Sequence, residues 1–298
     1  MKAPPIKERG EVRNESIGTL YVVSTPLGNL EDITLRALKI LKTVDLIAAE
    51  SVQHTRRLCQ HFGIKTRVTR YNQHNRKVRG PELIKRLKEG LDVALVTNAG
   101  TPGISDPGVF LVSQALKEQI RVSPIPGPSA VTAALSVAGL RGDGFVFLGF
   151  LSNRSSKRKQ ELKGLLSESR TLVFFEAPHR LQAMLSDLKE ILGNRQIVLL
   201  REMTKLFEEL KGGSISSILD RFQGDEVRGE FTVVVAGKEK IEGPHSLDEK
   251  IQRKIRGLLD EHKMSVKDMA RQLSAETGVA FRDLYKAGIS VKRAMGPS

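Results

Sequence analysis

The run Asn98-Ala99-Gly100-Thr101-Pro102-Gly103-Ile104-Ser105-Asp106-Pro107-Gly108 gathers residue types suited to holding a small molecule. Gly100 and Gly103 let a backbone approach a ligand closely, while Pro102 and Pro107 stiffen the loop. Thr101 and Ser105 add hydroxyls. Asp106 has two readings: a polar contact to the ligand, or a cap on a helix opening at Pro107. Two shorter runs share this character, Thr25-Pro26-Leu27-Gly28-Asn29 and Pro126-Gly127-Pro128-Ser129-Ala130. Each alone is an ordinary tight turn. Three rigid Gly/Pro loops at one sheet edge suit a small-molecule pocket. No GxGxxG follows a strand and no GxxxxGK[ST] occurs, which argues against a dinucleotide or P-loop site. Cys59 is the single cysteine and the six histidines are scattered, so neither a metal site nor an intrachain disulfide is expected.

These loops need strands and helices to hold them. Thr19 to Ser24 reads as a strand, followed by an amphipathic helix from about Glu31 to Lys42. The apolar runs Val44 to Ala49 and Val93 to Val96 suit a parallel sheet buried on both faces. Helices near His54 to His61, Glu82 to Glu89 and Pro107 to Lys117 alternate with strands near Thr66 to Thr69 and Arg121 to Ile125. The pattern predicts an α/β layer. A joint at 126–129 leads to a second α/β set, with strands at Phe145 to Leu148, Thr171 to Phe175, Ile197 to Arg201 and Phe231 to Ala236. Helices are predicted between them at Ser155 to Leu166, His179 to Leu192 and Ser214 to Arg221. The expected division is a tail over 1–17, α/β domains over 18–126 and 127–237, a linker over 238–246, and an all-helical domain over 247–298. The last two helices have helix-turn-helix spacing, although a plain three-helix accessory domain fits equally well.

The net charge is +14, and it is unevenly placed. Eleven Lys/Arg and one acid, Glu82, lie between Arg56 and Lys88. Such a concentration marks a polyanionic partner, with a solvated helix face as the plainer reading. No run of 18 apolar residues is present, so no transmembrane helix is expected and nucleic acid is favoured over membrane. Aromatics make up 5% and Trp is absent, so phosphate and shape contacts are expected to dominate over base stacking. A cytoplasmic protein is the expectation.

Eight segments in order carry a resemblance: LYVVSTPLGNLEDIT (Leu20 to Thr34), DLIAAE (Asp45 to Glu50), NAGTPGISDPG (Asn98 to Gly108), IPGPSA (Ile125 to Ala130), GF (Gly149, Phe150), FFEAPHR (Phe174 to Arg180), REMTK (Arg201 to Lys205) and GE (Gly229, Glu230). The chain resembles the tetrapyrrole methylase superfamily, and within it the branch acting on small-subunit ribosomal RNA. The resemblance implies two α/β domains with S-adenosylmethionine in a cleft between them, usually a homodimer, and 2′-O-methylation of a decoding-centre cytidine. It implies cofactor contacts from Pro26, Gly28, Asn98, Gly100, Thr101, Pro102, Gly103, Ile104, Asp106, Pro128, Ser129 and Ala130. Candidate catalytic residues at matching positions are Asp32, Glu50, Glu202 and Lys205, with Glu176 a further carboxylate. For Glu202 and Lys205 a loop-positioning ion pair is the alternative role, and for Asp32 a helix N-terminal charge. Candidate RNA contacts are Arg56, Arg57, Arg76, Lys77, Arg79 and Arg180. The chain departs from the pattern at Ser51-Val52-Gln53, where the family usually has Asp-Thr-Arg after Glu50. It also has Asn98 for Asp, and Arg76 for an acid. A porphyrinoid methylase and a catalytically impaired RNA-binding relative are the rival readings.

Overall fold

Val93–Val96 (β4) and Leu46–Ala49 (β2) are buried at every residue, the mark of central strands in a parallel sheet covered on both faces. In the computed structural model they are joined by Thr19–Val23 (β1), Arg67–Arg70 (β3) and Arg121–Ile125 (β5) in the order β3-β2-β4-β1-β5. Every pairing is parallel. The structure describes residues 17–106, 108–222, 228–238, 248–260 and 264–294. Apart from Ile17 and Lys238, the expected tail and linker lie outside them, as does Pro107.

Side-chain alternation sends one set of strand residues to each face. Val23, Ile47, Ala49, Ala94 and Val96 meet Leu35–Thr43 (α1) and Val52–His61 (α2) through Ile40, Leu41 and Leu58. Leu20, Leu46, Ala48 and Leu95 meet Arg76–Lys88 (α3) and Gly108–Lys117 (α4) through Leu83, Leu87 and Leu111. Helix α1 starts later than periodicity suggested. Ile33 and Thr34 are extended, and the Thr34 hydroxyl caps the helix by accepting the Ala37 N–H at 3.1 Å. Residues Leu30–Asp32 form a separate 3-10 turn. Helix α3 begins six residues before the predicted start and runs through Gly80-Pro81, because burial of Leu83, Ile84 and Leu87 outweighs the lost backbone bond at proline.

The second sheet contains Phe145–Gly149 (β6), Thr171–Glu176 (β7), Gln196–Arg201 (β8), Glu209–Ser214 (β9) and Phe231–Val235 (β10), ordered β6-β7-β10-β8-β9. It is mixed: β6 and β7 are parallel, and the remaining pairs antiparallel. Ala130–Val137 (α5) covers one face through Val131 and Ala134. Ser155–Lys163 (α6), Leu181–Leu192 (α7) and Ile215–Arg221 (α8) cover the other. Both sheets lie in one compact unit ending at Lys238.

A second unit holds Glu249–Asp260 (α9), Val266–Thr277 (α10) and Phe281–Ala294 (α11) around Ile255, Met269, Ala270, Leu273 and Leu284. The Ser265 hydroxyl caps α10 by accepting the Asp268 N–H, and left-handed Gly278 closes it. Helix α11 runs well beyond the predicted Arg282 to Ala287 segment.

Candidate active site

In an open α/β sheet the crevice lies at the carboxyl ends of strands where the chain's crossovers diverge. Here that point is between β1 and β4: the chain leaves β1 toward β2 on one side, and leaves β4 toward β5 on the other. The three Gly/Pro loops meet there. Thr25 and Gly100 exchange backbone hydrogen bonds of 3.0 Å in both directions. The hydroxyls of Ser24 and Thr101 are 2.8 Å apart, and Thr101 Oγ1 donates to the Pro128 carbonyl at 3.1 Å. Gly100 has φ +77°, a conformation that disfavours a side chain. Asp106 acts within the loop: its carboxylate accepts the Gly103 and Gly108 N–H groups, both at 2.7 Å.

A cavity of about 350 Å³ opens over this knot. The first sheet's loops supply Leu27, Ala99, Gly100, Thr101, Ile104, Ser129 and Ala130. The second sheet supplies Phe150, Phe175, Glu176, Ala177, Met203, Lys205, Glu230, Phe231 and Thr232. A neighbouring cavity of about 260 Å³ shares Leu27 and is lined by Thr25, Pro26, Gly28, Leu30, His54, Thr55, Arg57, Leu58, Thr97 and Asn98.

The charged rim of the first cavity is built by a loop in strained geometry. Glu202 and Thr204 both have positive φ, 50° and 65°. Hydrogen bonds hold them there. Glu202 Oε1 accepts the Glu230 N–H at 2.8 Å, and the Thr204 hydroxyl accepts the Asn29 N–H at 3.2 Å. Lys205 Nζ sits 3.0 Å from both Glu202 Oε1 and Glu230 Oε2. Burial by itself pushes the Lys205 ammonium down, but the two carboxylates outweigh it and hold the group above the usual lysine range. Burial likewise raises Glu202. The Glu230 N–H, Lys205 and Arg201 reverse this, leaving its carboxyl below the usual range. The pair is therefore ionised at neutral pH.

The structure sorts the sequence candidates. Gly100, Thr101, Ile104, Ser129, Ala130 and Lys205 line the first cavity. Pro26, Gly28 and Asn98 line the second. Pro102, Gly103, Asp106 and Pro128 shape the loops without lining either cavity. Glu202 positions Lys205, in keeping with the ion-pair reading. Glu50 Oε2 accepts the Asn98 N–H at 3.2 Å, and neither Glu50 nor Asp32 lines either of these two cavities. Among the basic residues, Arg56, Arg57 and Lys77 are exposed. Arg76 stacks over Phe110, Arg79 bonds Glu82 and Thr69, and Arg180 is engaged by Glu176 and the Leu151 carbonyl. The apolar wall of Phe150, Phe175, Met203 and Phe231 was missed. Phe150, Phe175 and Met203 lie in the matching GF, FFEAPHR and REMTK segments, and Phe231 directly follows GE.

Residues 19–219 match the family model described as Tetrapyrrole (Corrin/Porphyrin) Methylases. The chain belongs to this family. Curated relatives named ribosomal RNA small subunit methyltransferase I include one from Synechocystis, 43% identical over 93% of this chain and 99% of its own length. Another, from Pseudomonas aeruginosa, is 44% identical over 92% of this chain and 98% of its own. A crystal structure of uroporphyrin-III-C-methyltransferase from Thermus thermophilus superposes with a TM-score of 0.54. It covers 74% of this chain and 94% of that one at 21% identity, a likeness of fold alone. Among the described residues of this tetrapyrrole methylase, no His/Cys/Asp/Glu group is arranged to hold a metal ion, and no helix is long and apolar enough to cross a membrane.

Proposed function

We propose that the protein uses S-adenosylmethionine to methylate the ribose 2′-oxygen of a decoding-centre cytidine in small-subunit ribosomal RNA. The observation carrying this is an apolar cavity with a Glu–Lys–Glu rim, in a chain whose near full-length relatives are named ribosomal RNA small subunit methyltransferase I. The cavity fits the cofactor's chemistry. Ile104 and Phe150 are left exposed on its wall, as apolar groups that a bound ligand covers. Gly100 and Ala99 leave backbone open for close approach. Gly100, Thr101, Ser129 and Ala130 would hold its polar groups, and Ile104, Phe150, Phe175 and Met203 its apolar surface. When bound, S-adenosylmethionine supplies a sulfonium-activated methyl group.

The protein must then orient a weakly nucleophilic hydroxyl and relieve it of a proton. Lys205, fixed as ammonium, donates a hydrogen bond to the acceptor oxygen and favours its developing negative charge. The Glu230 carboxylate, at the same rim, receives the proton and passes it to solvent. Arg57 and His54 in the adjoining cavity face the RNA strand, with Arg56 and Lys77 extending the basic surface. A cytoplasmic location follows from this reading. The homodimer is proposed on the exposed apolar row Leu206, Phe207 and Leu210.

The deciding experiment is calorimetric titration with S-adenosylmethionine, followed by incubation with unmethylated small subunits. A 2′-O-methylated nucleotide resists alkaline cleavage, because the neighbouring hydroxyl can no longer attack the phosphate. Cofactor binding without a resistant nucleotide would point to another acceptor, such as a porphyrinoid. Neither binding nor transfer would make the chain an inactive relative. Two further outcomes are expected. The raised ammonium of Lys205 gives no basic limb in the pH–rate profile until above the usual lysine value of about 10.4. A limb near neutrality that vanished in Lys205→Arg would mean a neutral amine and exclude this role. Changing Arg56, Arg57 and Lys77 to Glu should reduce the salt slope of RNA binding by about one for each phosphate that the protein ceases to neutralise.

A further inference from the structure

Helix α11 carries aromatic residues where its fold does not need them. Leu284 faces the core of the helical unit and is fully buried. Phe281 and Tyr285, one helical turn apart, are 41% and 37% exposed. Their rings stack on each other with centroids 5.7 Å apart and planes 21° from parallel. Arg282, Lys286 and Lys292 are exposed along the same helix. The chain has only 11 Phe and 3 Tyr and no Trp, so a stacked pair on the surface is out of keeping with its composition.

We propose that this face of α11 is a second RNA contact, binding unpaired bases by stacking on Phe281 and Tyr285 while Arg282 and Lys286 meet the adjoining phosphates. The chemistry selects the partner. Flat π faces beside cations match single-stranded nucleic acid, where base faces are open and each phosphate carries a charge. The surrounding helical segment supplies the complementary sign: Leu247 to Ser298 holds eleven Lys/Arg against seven acids. The inference rests on the RNA reading above, but assigns this unit a role in capture that is separate from methyl transfer.

The test uses the full chain. Phe281→Leu/Tyr285→Leu removes both π faces while keeping apolar bulk and helix propensity. Affinity for a short, unstructured oligoribonucleotide should fall about tenfold or more. Calorimetric affinity for S-adenosylmethionine and the melting profile should not move. A second readout needs no label. In a Trp-free chain tyrosine dominates the emission, and Tyr71 is buried. RNA should quench the parent's emission, and Tyr285→Leu should abolish most of that quenching. Unchanged RNA affinity in the double variant, with the parent still methylating small subunits, overturns this inference alone. So does a parent that methylates but does not bind the oligoribonucleotide. A changed sedimentation coefficient with unchanged RNA affinity assigns the face to a second copy of the chain. A parent that neither binds RNA nor methylates small subunits overturns both readings.

Discussion

Replacing Lys205 by Met should lower kcat/KM for methyl transfer by about 10²- to 10³-fold, the usual effect of losing one preorganised electrostatic group. Methionine keeps an unbranched side chain but brings no charge. Glu202 and Glu230 would then share a rim without the cation that sits 3.0 Å from each. Lys205→Arg should not restore the rate, because a planar fork cannot replace a compact ammonium held between two carboxylates. The same loss should be reachable from the other sheet. A Cβ on Gly28 would lie 2.2 Å from Lys205 Cγ. That atom is near the backbone, so the lysine stem cannot swing clear without moving its headgroup. Gly28→Ala is therefore expected to reproduce most of the Lys205→Met effect. In a Lys205→Ala background it should add little, because the clashing atom is gone. Additive losses in the double variant would show that Gly28 acts through something other than Lys205.

Gly28 also illustrates what a sequence can and cannot reveal. A glycine in a Pro/Gly loop after a strand reads as a place for a ligand to approach. Its close neighbour in the first unit is instead a lysine stem contributed from 177 positions away along the chain. The first sheet's loops were legible because prolines and glycines mark them locally. The opposite wall was not. Phe175 and Phe231 are ordinary strand residues, and only the placing of the second sheet against the loops makes them a site. Strand β9 was missed for a related reason. Its sequence, ELKGGS, contains no β-branched residue and two glycines. It is extended because it pairs with β8 along its whole length. Glu50 is a carboxylate at a position matching the family pattern, but its hydrogen bond supports the Asn98 backbone. Arg180 suited phosphate by type, but Glu176 and the Leu151 carbonyl already engage it. Residue type suggests capability, whereas tertiary neighbours decide which capability is used.

Gly100→Leu should reduce S-adenosylmethionine affinity by at least about a hundredfold, roughly 2.7 kcal/mol, and Gly100→Ala separates the reasons. At φ +77° any side chain carries a backbone penalty of about 1–2 kcal/mol. Alanine carries that penalty and little else. Its Cβ would be 3.4 Å from Leu27 Cδ2 and 3.8 Å from the Pro128 carbonyl oxygen, which is ordinary or slightly tight packing. Leucine carries the same backbone penalty and also extends into the cavity that Gly100 lines. Both variants should melt cooperatively, and at similar temperatures, because the strain is common to them. Calorimetry should show only a modest loss for Ala and no measurable binding for Leu. If strain in the Thr25–Gly100 bridge were the whole cause, the two variants would lose affinity equally. If Leu bound the cofactor as tightly as Ala does, the volume above Gly100 would not be the cofactor's, and the assignment of this cavity would fall.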